Sequence, residues 1–123
     1  MKVKRLAAAV ALLPVSAALT LVSEKPASAV AGGCGGDVCA EATHVSGNVV
    51  TIRAWARNSS FYGHFELQTP NHRTLNSIQS IWHAGGTGNY FNNINGGVGR
   101  YCVTAWEYFS GQYGEMGYTC FNA

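Results

Sequence analysis

RAWARNSSFYGHFELQ, residues 53–68, alternates in character on both sides of a polar break. Arg53, Trp55 and Arg57 interleave with Ala54 and Ala56; Tyr62, His64 and Glu66 interleave with Gly63, Phe65 and Leu67. Alternation with period two marks a β-strand with one face in a core and the other in water. With Asn58-Ser59-Ser60-Phe61 as a four-residue loop, the two runs read as a hairpin. Arg57 then faces Tyr62, Trp55 faces His64, Arg53 faces Glu66 and Thr51 faces Gln68. On the other side Ala56 meets Gly63, Ala54 meets Phe65 and Ile52 meets Leu67. This register puts the polar and aromatic partners on one face and the apolar ones on the other, and it sets a cation opposite an anion. Cross-strand pairs add about 0.2–1 kcal/mol each, so several together specify a register.

The same pattern extends along the chain. β-Branched and aromatic runs separated by Gly, Asn and Ser clusters follow one another, and nothing after residue 31 has the periodicity of a long helix. Short strands with turn signals between them indicate a sandwich or barrel. The fold class expected is all-β, a small disulfide-stabilised antiparallel β-sandwich over residues 32–123. In YCVTAWEYFSGQYGEMGYTCF, residues 101–121, a three-residue loop Ser110-Gly111-Gln112 would set Cys102 opposite Cys120, Thr104 opposite Tyr118 and Trp106 opposite Met116. The tryptophan and methionine would make that side the core face, and Trp82, Trp106, Phe65 and Met116 are core candidates. Asn95-Gly96 suits a type I′ turn, which needs positive φ at both positions. It would join Tyr90–Ile94 to Gly97–Tyr101. Leu75 to His83 has mixed signals and reads as an irregular crossover with some strand.

Met1 to Ala31 reads as a secretory signal peptide. Lys2, Lys4 and Arg5 precede an apolar run from Leu6 to Val22, and two small-residue cleavage frames follow, Ala27-Ser28-Ala29 and Ala29-Val30-Ala31. The apolar run is 17 residues with Pro14 inside it, short of the roughly 20 that a spanning helix needs. The expected localisation is secreted, without membrane attachment after cleavage. The remainder carries Arg53, Arg57, Arg73 and Arg100 against Asp37, Glu41, Glu66, Glu107 and Glu115, a net charge of −1 with no lysine. Binding to nucleic acid through counterion release needs clustered cations, which four dispersed arginines do not supply.

A domain this small buries roughly 60–65% of the surface its unfolded chain exposes, so covalent support is expected. Four cysteines in a short exported chain imply two disulfides. Of the three possible pairings, the hairpin register favours Cys34–Cys39 with Cys102–Cys120. The first would pin a flexible leading segment, Gly32 to Asp37.

On the hairpin face, Arg53, Trp55, Arg57, Tyr62, His64 and Glu66 form a candidate binding platform. Tryptophan, tyrosine and arginine are the usual anchors of interfaces, and a flat indole suits a sugar ring. The expected partner is an extracellular protein, such as an enzyme to be inhibited, or a polysaccharide. Inhibitors, lectin-like modules and small-ligand carriers among secreted bacterial proteins share this layout, an analogy of architecture alone.

A second reading is a small glycan-acting hydrolase. Glu107 and Glu115 would face each other in the final hairpin, at a spacing that suits a retaining glycosidase, and His64 with Glu66 offers another pair. A structural surface protein is a third reading. His44, His64, His72 and His83 lack the spacing of a metal motif, no GxSxG elbow is present, and no glycine-rich phosphate loop opens a helix. No metal or cofactor is expected.

Overall fold

The alternation in residues 53–68 becomes burial. Ile52, Ala54 and Ala56 are fully buried, as are Phe65 and Leu67, while the residues between them reach the surface. The computed structural model describes residues 31–123; of the expected signal segment, all but Ala31 lies outside the described residues. Among the described residues nine strands form two antiparallel sheets. Strands β1 (Gly32–Gly35), β2 (Val38–Ser46), β3 (Val49–Ala56) and β7 (Asn89–Asn95) make the first sheet, in that order across it. The second sheet runs β9 (Gln112–Asn122), β8 (Arg100–Phe109), β4 (Phe61–Gln68), β5 (Thr74–Asn76), with β6 (Ser80–Trp82) also on β4. The described chain is thus all-β, with the two-sheet layout of a sandwich.

The hairpin expected across residues 53–68 does not form. β3 pairs with β2 and β7, and β4 pairs with β8, β5 and β6. The segment between them is an arch that carries the chain from one sheet to the other. The inward residues assigned from the alternation are the right ones, but they meet across the core between sheets rather than side by side within one. The arch is held at its start by Asp37, whose Oδ1 accepts the N–H groups of Asn58 and Ser59 at 3.0 and 3.2 Å.

Asn95-Gly96 is likewise an arch rather than a hairpin turn, since β7 lies in the first sheet and β8 in the second. Gly97 and Gly99 carry the positive φ values there, not Asn95 and Gly96. Gly96 is required for space: a Cβ would sit 2.7 Å from the Tyr101 hydroxyl oxygen. Tyr101, fully buried, donates that hydroxyl to the Gly97 carbonyl at 2.5 Å. A tyrosine bonded to backbone a few residues upstream, where a chain changes sheets, is a tyrosine corner.

The final hairpin forms, with two differences. Its loop is Ser110-Gly111, both at positive φ (52° and 79°), because Phe109 pairs with Gln112. A register shift after Ala105 then sets Trp106 opposite Glu115 instead of Met116, while Cys102–Cys120 and Thr104–Tyr118 pair as expected. The core face is also the opposite one. Tyr101, Val103 and Ala105 are fully buried, and Cys102, Thr104 and Trp106 lie on the outer face. A half-buried tryptophan outside and a tyrosine inside reverse the ranking by hydrophobicity, because each ring's polar end finds a partner where it sits.

Both disulfides join the expected cysteines, Cys34–Cys39 and Cys102–Cys120, each bridging directly opposed residues of neighbouring strands. The leading segment is accordingly strand β1 in the first sheet, not a loose lead. Residues 74–82 form an interrupted strand along β4. The break is bridged by Ser77, whose N–H donates to the Phe65 carbonyl and whose Oγ accepts the Phe65 N–H, both at 2.8 Å.

Candidate functional site

Because β3 and β4 lie in different sheets, the six residues of the expected platform divide into two groups of three. Arg53 and Trp55 lie on β3 in the first sheet, and Arg57 lies just past its end. Tyr62, His64 and Glu66 belong to the outer face of the second. The expected Arg53–Glu66 pair is not made.

In the first group the arginines are committed to the fold. The Arg53 guanidinium stacks over the Trp55 ring at 4.1 Å and lies 3.7 Å from the Glu41 carboxylate. Its Nε donates to the Thr87 carbonyl at 2.6 Å and its NH2 to the Gly86 carbonyl at 3.1 Å. Arg57 donates to the Gly36 carbonyl at 3.2 Å. These contacts fasten the loop at residues 86–88 and the turn at Gly36. A partly exposed ion pair contributes little by itself, so the value of Arg53 lies in joining three elements with one planar donor group. This half of the platform works as a clamp.

The second group lies in richer surroundings. Register places His64 opposite Trp106 and Glu66 opposite Thr104 on β8, and Trp106 opposite Glu115 on β9. Since opposed residues share a face, the outer surface of this sheet is an ordered grid. Its first row runs Ile81, Tyr62, Tyr108, Tyr113: Ile81 is paired with Tyr62 and Tyr108 with Tyr113 by register. Tyr62 and Tyr108 meet edge to face at 6.3 Å, and Tyr108 and Tyr113 are tilted at 5.0 Å. All four are exposed. His64 meets Tyr113 edge to face at 5.0 Å.

Beside this row lies an open groove of about 350 Å³, lined by His64, Glu66, Asn76, Trp106 and Tyr113. Four of the five lining side chains are held by hydrogen bonds. The Trp106 indole N–H donates to Glu66 Oε1 at 2.6 Å, and Gln68 donates to Glu66 Oε2 at 3.3 Å. The Tyr113 hydroxyl donates to Gln79 Oε1 at 3.0 Å, and His64 Nδ1 approaches the same oxygen at 3.4 Å.

Compared with known proteins, the chain matches no family model, no curated protein and no solved structure. Its chemistry therefore rests on the residues themselves.

The paired carboxylates expected in the final hairpin are not opposed. Glu107 faces Gly114 and Glu115 faces Trp106, so the two point to opposite sides of the sheet. His64 and Glu66 share a face, but Glu66 is bonded to Trp106 and Gln68, and His64 to Gln79. Neither arrangement sets one carboxylate to act on the other or on a histidine. Among the described residues no three His, Cys, Asp or Glu side chains converge as metal ligands.

Tyr62, His64 and Glu66 were legible in the sequence. Trp106, Tyr108, Tyr113 and Asn76 were not, although one signal pointed to the first two. Val103 and Ala105 are small and apolar, whereas Thr104, Trp106 and Tyr108 each carry a polar group, and that contrast identifies the outer face.

Proposed function

We propose that this chain is an exported, non-enzymatic binding domain whose ligand is a glycan held on the outer face of the second sheet. The observation that carries the reading is the groove, where the Trp106 and Tyr113 rings stand beside the planar polar groups of Glu66, Asn76 and His64. Sugar rings offer an apolar C–H face and a rim of hydroxyls. Aromatic rings with fixed planar hydrogen-bonding groups match both, and groups held before binding lose little entropy on it. Export is supported by the basic and apolar leader and by two disulfides in a small domain.

Titration with soluble oligosaccharides, followed by tryptophan fluorescence, tests the reading. Binding should appear for at least one glycan class and be lost in Trp106→Ala and in Tyr113→Ala. Tyr113 is about half exposed (49%), so its variant should keep its fold by circular dichroism. A panel with no binding, or variants that bind as well as the parent, would overturn it.

A protein partner is the second reading, favoured by Ile81, which is 60% exposed in the row itself, and by Ile78, 73% exposed and three residues before it in the chain. An aromatic surface poor in charge with aliphatic neighbours is the composition of an interface core. Ile81→Ser would weaken capture of a protein partner and leave glycan binding unchanged.

A further inference from the structure

The groove end of this face has a charge of one sign. Glu66 lines the groove, and Glu115 stands opposite Trp106 on β9. Glu66 accepts hydrogen bonds from two neutral donors, Trp106 and Gln68, so its charge is solvated by the protein but not neutralised. The one ion pair among the described residues, Arg53–Glu41, belongs to the first sheet.

The arginines are all elsewhere. Arg53 and Arg57 fasten loops in the first sheet, and Arg73 donates to the Asn95 carbonyl. Arg100 opens β8, six residues from Trp106, on the order of 20 Å along an extended strand. That is beyond the roughly 8–10 Å over which exposed charges act in ordinary salt. Among the residues lining the groove the bases are limited to His64.

Beside these carboxylates stand Trp106 and Tyr113, with Tyr108 and Tyr62 in the adjoining row, and their ring faces carry negative potential. Rings of this kind hold ammonium groups, most strongly over tryptophan. An anionic glycan would meet two like charges here. A neutral glycan would use the rings and donate hydroxyls to the carboxylates, but would not neutralise their charge. A cationic glycan uses both.

We infer that the groove takes an amino-sugar chain bearing free ammonium groups, with the ammonium set between Glu66 or Glu115 and the neighbouring aromatic rings. This rests on the glycan reading above and names its ligand class.

The test compares four oligomers of equal length on the full domain by calorimetry at neutral pH: glucosamine, N-acetylglucosamine, galacturonate, and a quaternised glucosamine whose charge does not titrate. The glucosamine and quaternised chains should bind about tenfold more tightly than the acetylated one, and added salt should narrow the gap. Galacturonate should not bind. Glu115→Gln, an exposed change, should bring the amine-to-acetyl ratio towards one at unaltered thermal stability.

Equal or tighter binding of the acetylated chain would overturn the inference and leave the glycan reading in place, as would a preference for galacturonate. Cationic binding that persists in both Tyr108→Ala and Tyr113→Ala would reduce the effect to surface charge, and also overturn it. Absence of binding in every arm would remove the glycan reading itself.

Discussion

Residues 53–68 and residues 100–122 present the same pattern, two alternating runs joined by a short polar break, and they fold in opposite ways. The second pair turns back on itself within one sheet. The first crosses from one sheet to the other. The difference lies in the break. Ser110-Gly111 takes positive φ at both positions, which gives a two-residue turn the twist that adjacent strands require. Asn58, Ser59 and Ser60 have no positive φ, and Asp37, from the turn between β1 and β2, holds two of their N–H groups. In addition, Cys102–Cys120 joins the second pair covalently, and no bond joins β3 to β4. Alternation tells a strand which side faces inward; the turn and the cross-links choose its neighbour.

The comparison can be broken most sharply from inside the arch. Phe65 is fully buried on β4 and packs on Phe61 and Trp82 at ring separations of 5.5 and 5.0 Å. Phe65→Ala should cost about 3–5 kcal/mol by urea unfolding. Tyr62→Ala, on the outer side of the same strand, should cost about 1 kcal/mol or less. Similar losses at the two positions would show that the inner and outer faces of β4 are misassigned.

The covalent half of the comparison comes next. Each disulfide closes a ring within a local pair of strands, spanning 18 residues for Cys102–Cys120 and 5 for Cys34–Cys39. Chain-entropy estimates give about 3 and about 2 kcal/mol respectively. The double serine variants should therefore differ in denaturation midpoint in that order, and the reverse order would show that the leading strand β1 contributes more than its ring.

Tyr101 sharpens the contrast between a turn and an arch. Tyr101→Phe removes the bond to Gly97 that secures the arch after β7, at a cost of about 1 kcal/mol near neutral pH. Burial also raises the Tyr101 phenol above its ordinary value of 10.0. The folded state then holds that proton longer than the unfolded chain does. This contribution is complete below about pH 10 and is lost as pH climbs through the folded value. Stability measured against pH should fall on the alkaline side in the parent, and less steeply in Tyr101→Phe.

The smallest effect concerns the N-terminal edge. The Ala31 carbonyl accepts the Ala42 N–H at 2.7 Å, and its side chain packs on the core. Cleavage in the Ala27-Ser28-Ala29 frame would keep this residue, whereas the later frame would remove it at a cost of about 1 kcal/mol. If the chain is exported and cleaved as proposed, its intact mass should correspond to a chain beginning at Val30; one beginning at Gly32 would show that the Ala31 contact is dispensable.

Much of this was legible from residue order. The assignment of Ile52, Ala54, Phe65 and Leu67 inward and of Tyr62, His64 and Glu66 outward needed only period two. The cysteine pairing followed from the expected hairpin because its shorter loop and the bulge after Ala105 offset each other in register. Sequential neighbours are not spatial ones across residues 53–68: Arg53 and Trp55 stand in a different sheet from His64 and Glu66. Trp106 was misplaced for a separate reason. Size and hydrophobicity send a tryptophan inward, but its N–H finds the Glu66 carboxylate only on the outer face.

The residue order alone determined the class of fold, the inner and outer sets of β3 and β4, and the two disulfides. These follow from the chemistry of single residues, from their spacing, or from one short local turn. The tertiary structure decided that β3 and β4 occupy different sheets, and that Trp106, Tyr108 and Tyr113 join Tyr62, His64 and Glu66 on one surface. That choice depends on contacts between segments some 40 residues apart in the chain, whose energies are set by packing and pairing between strands and so are absent from any local pattern.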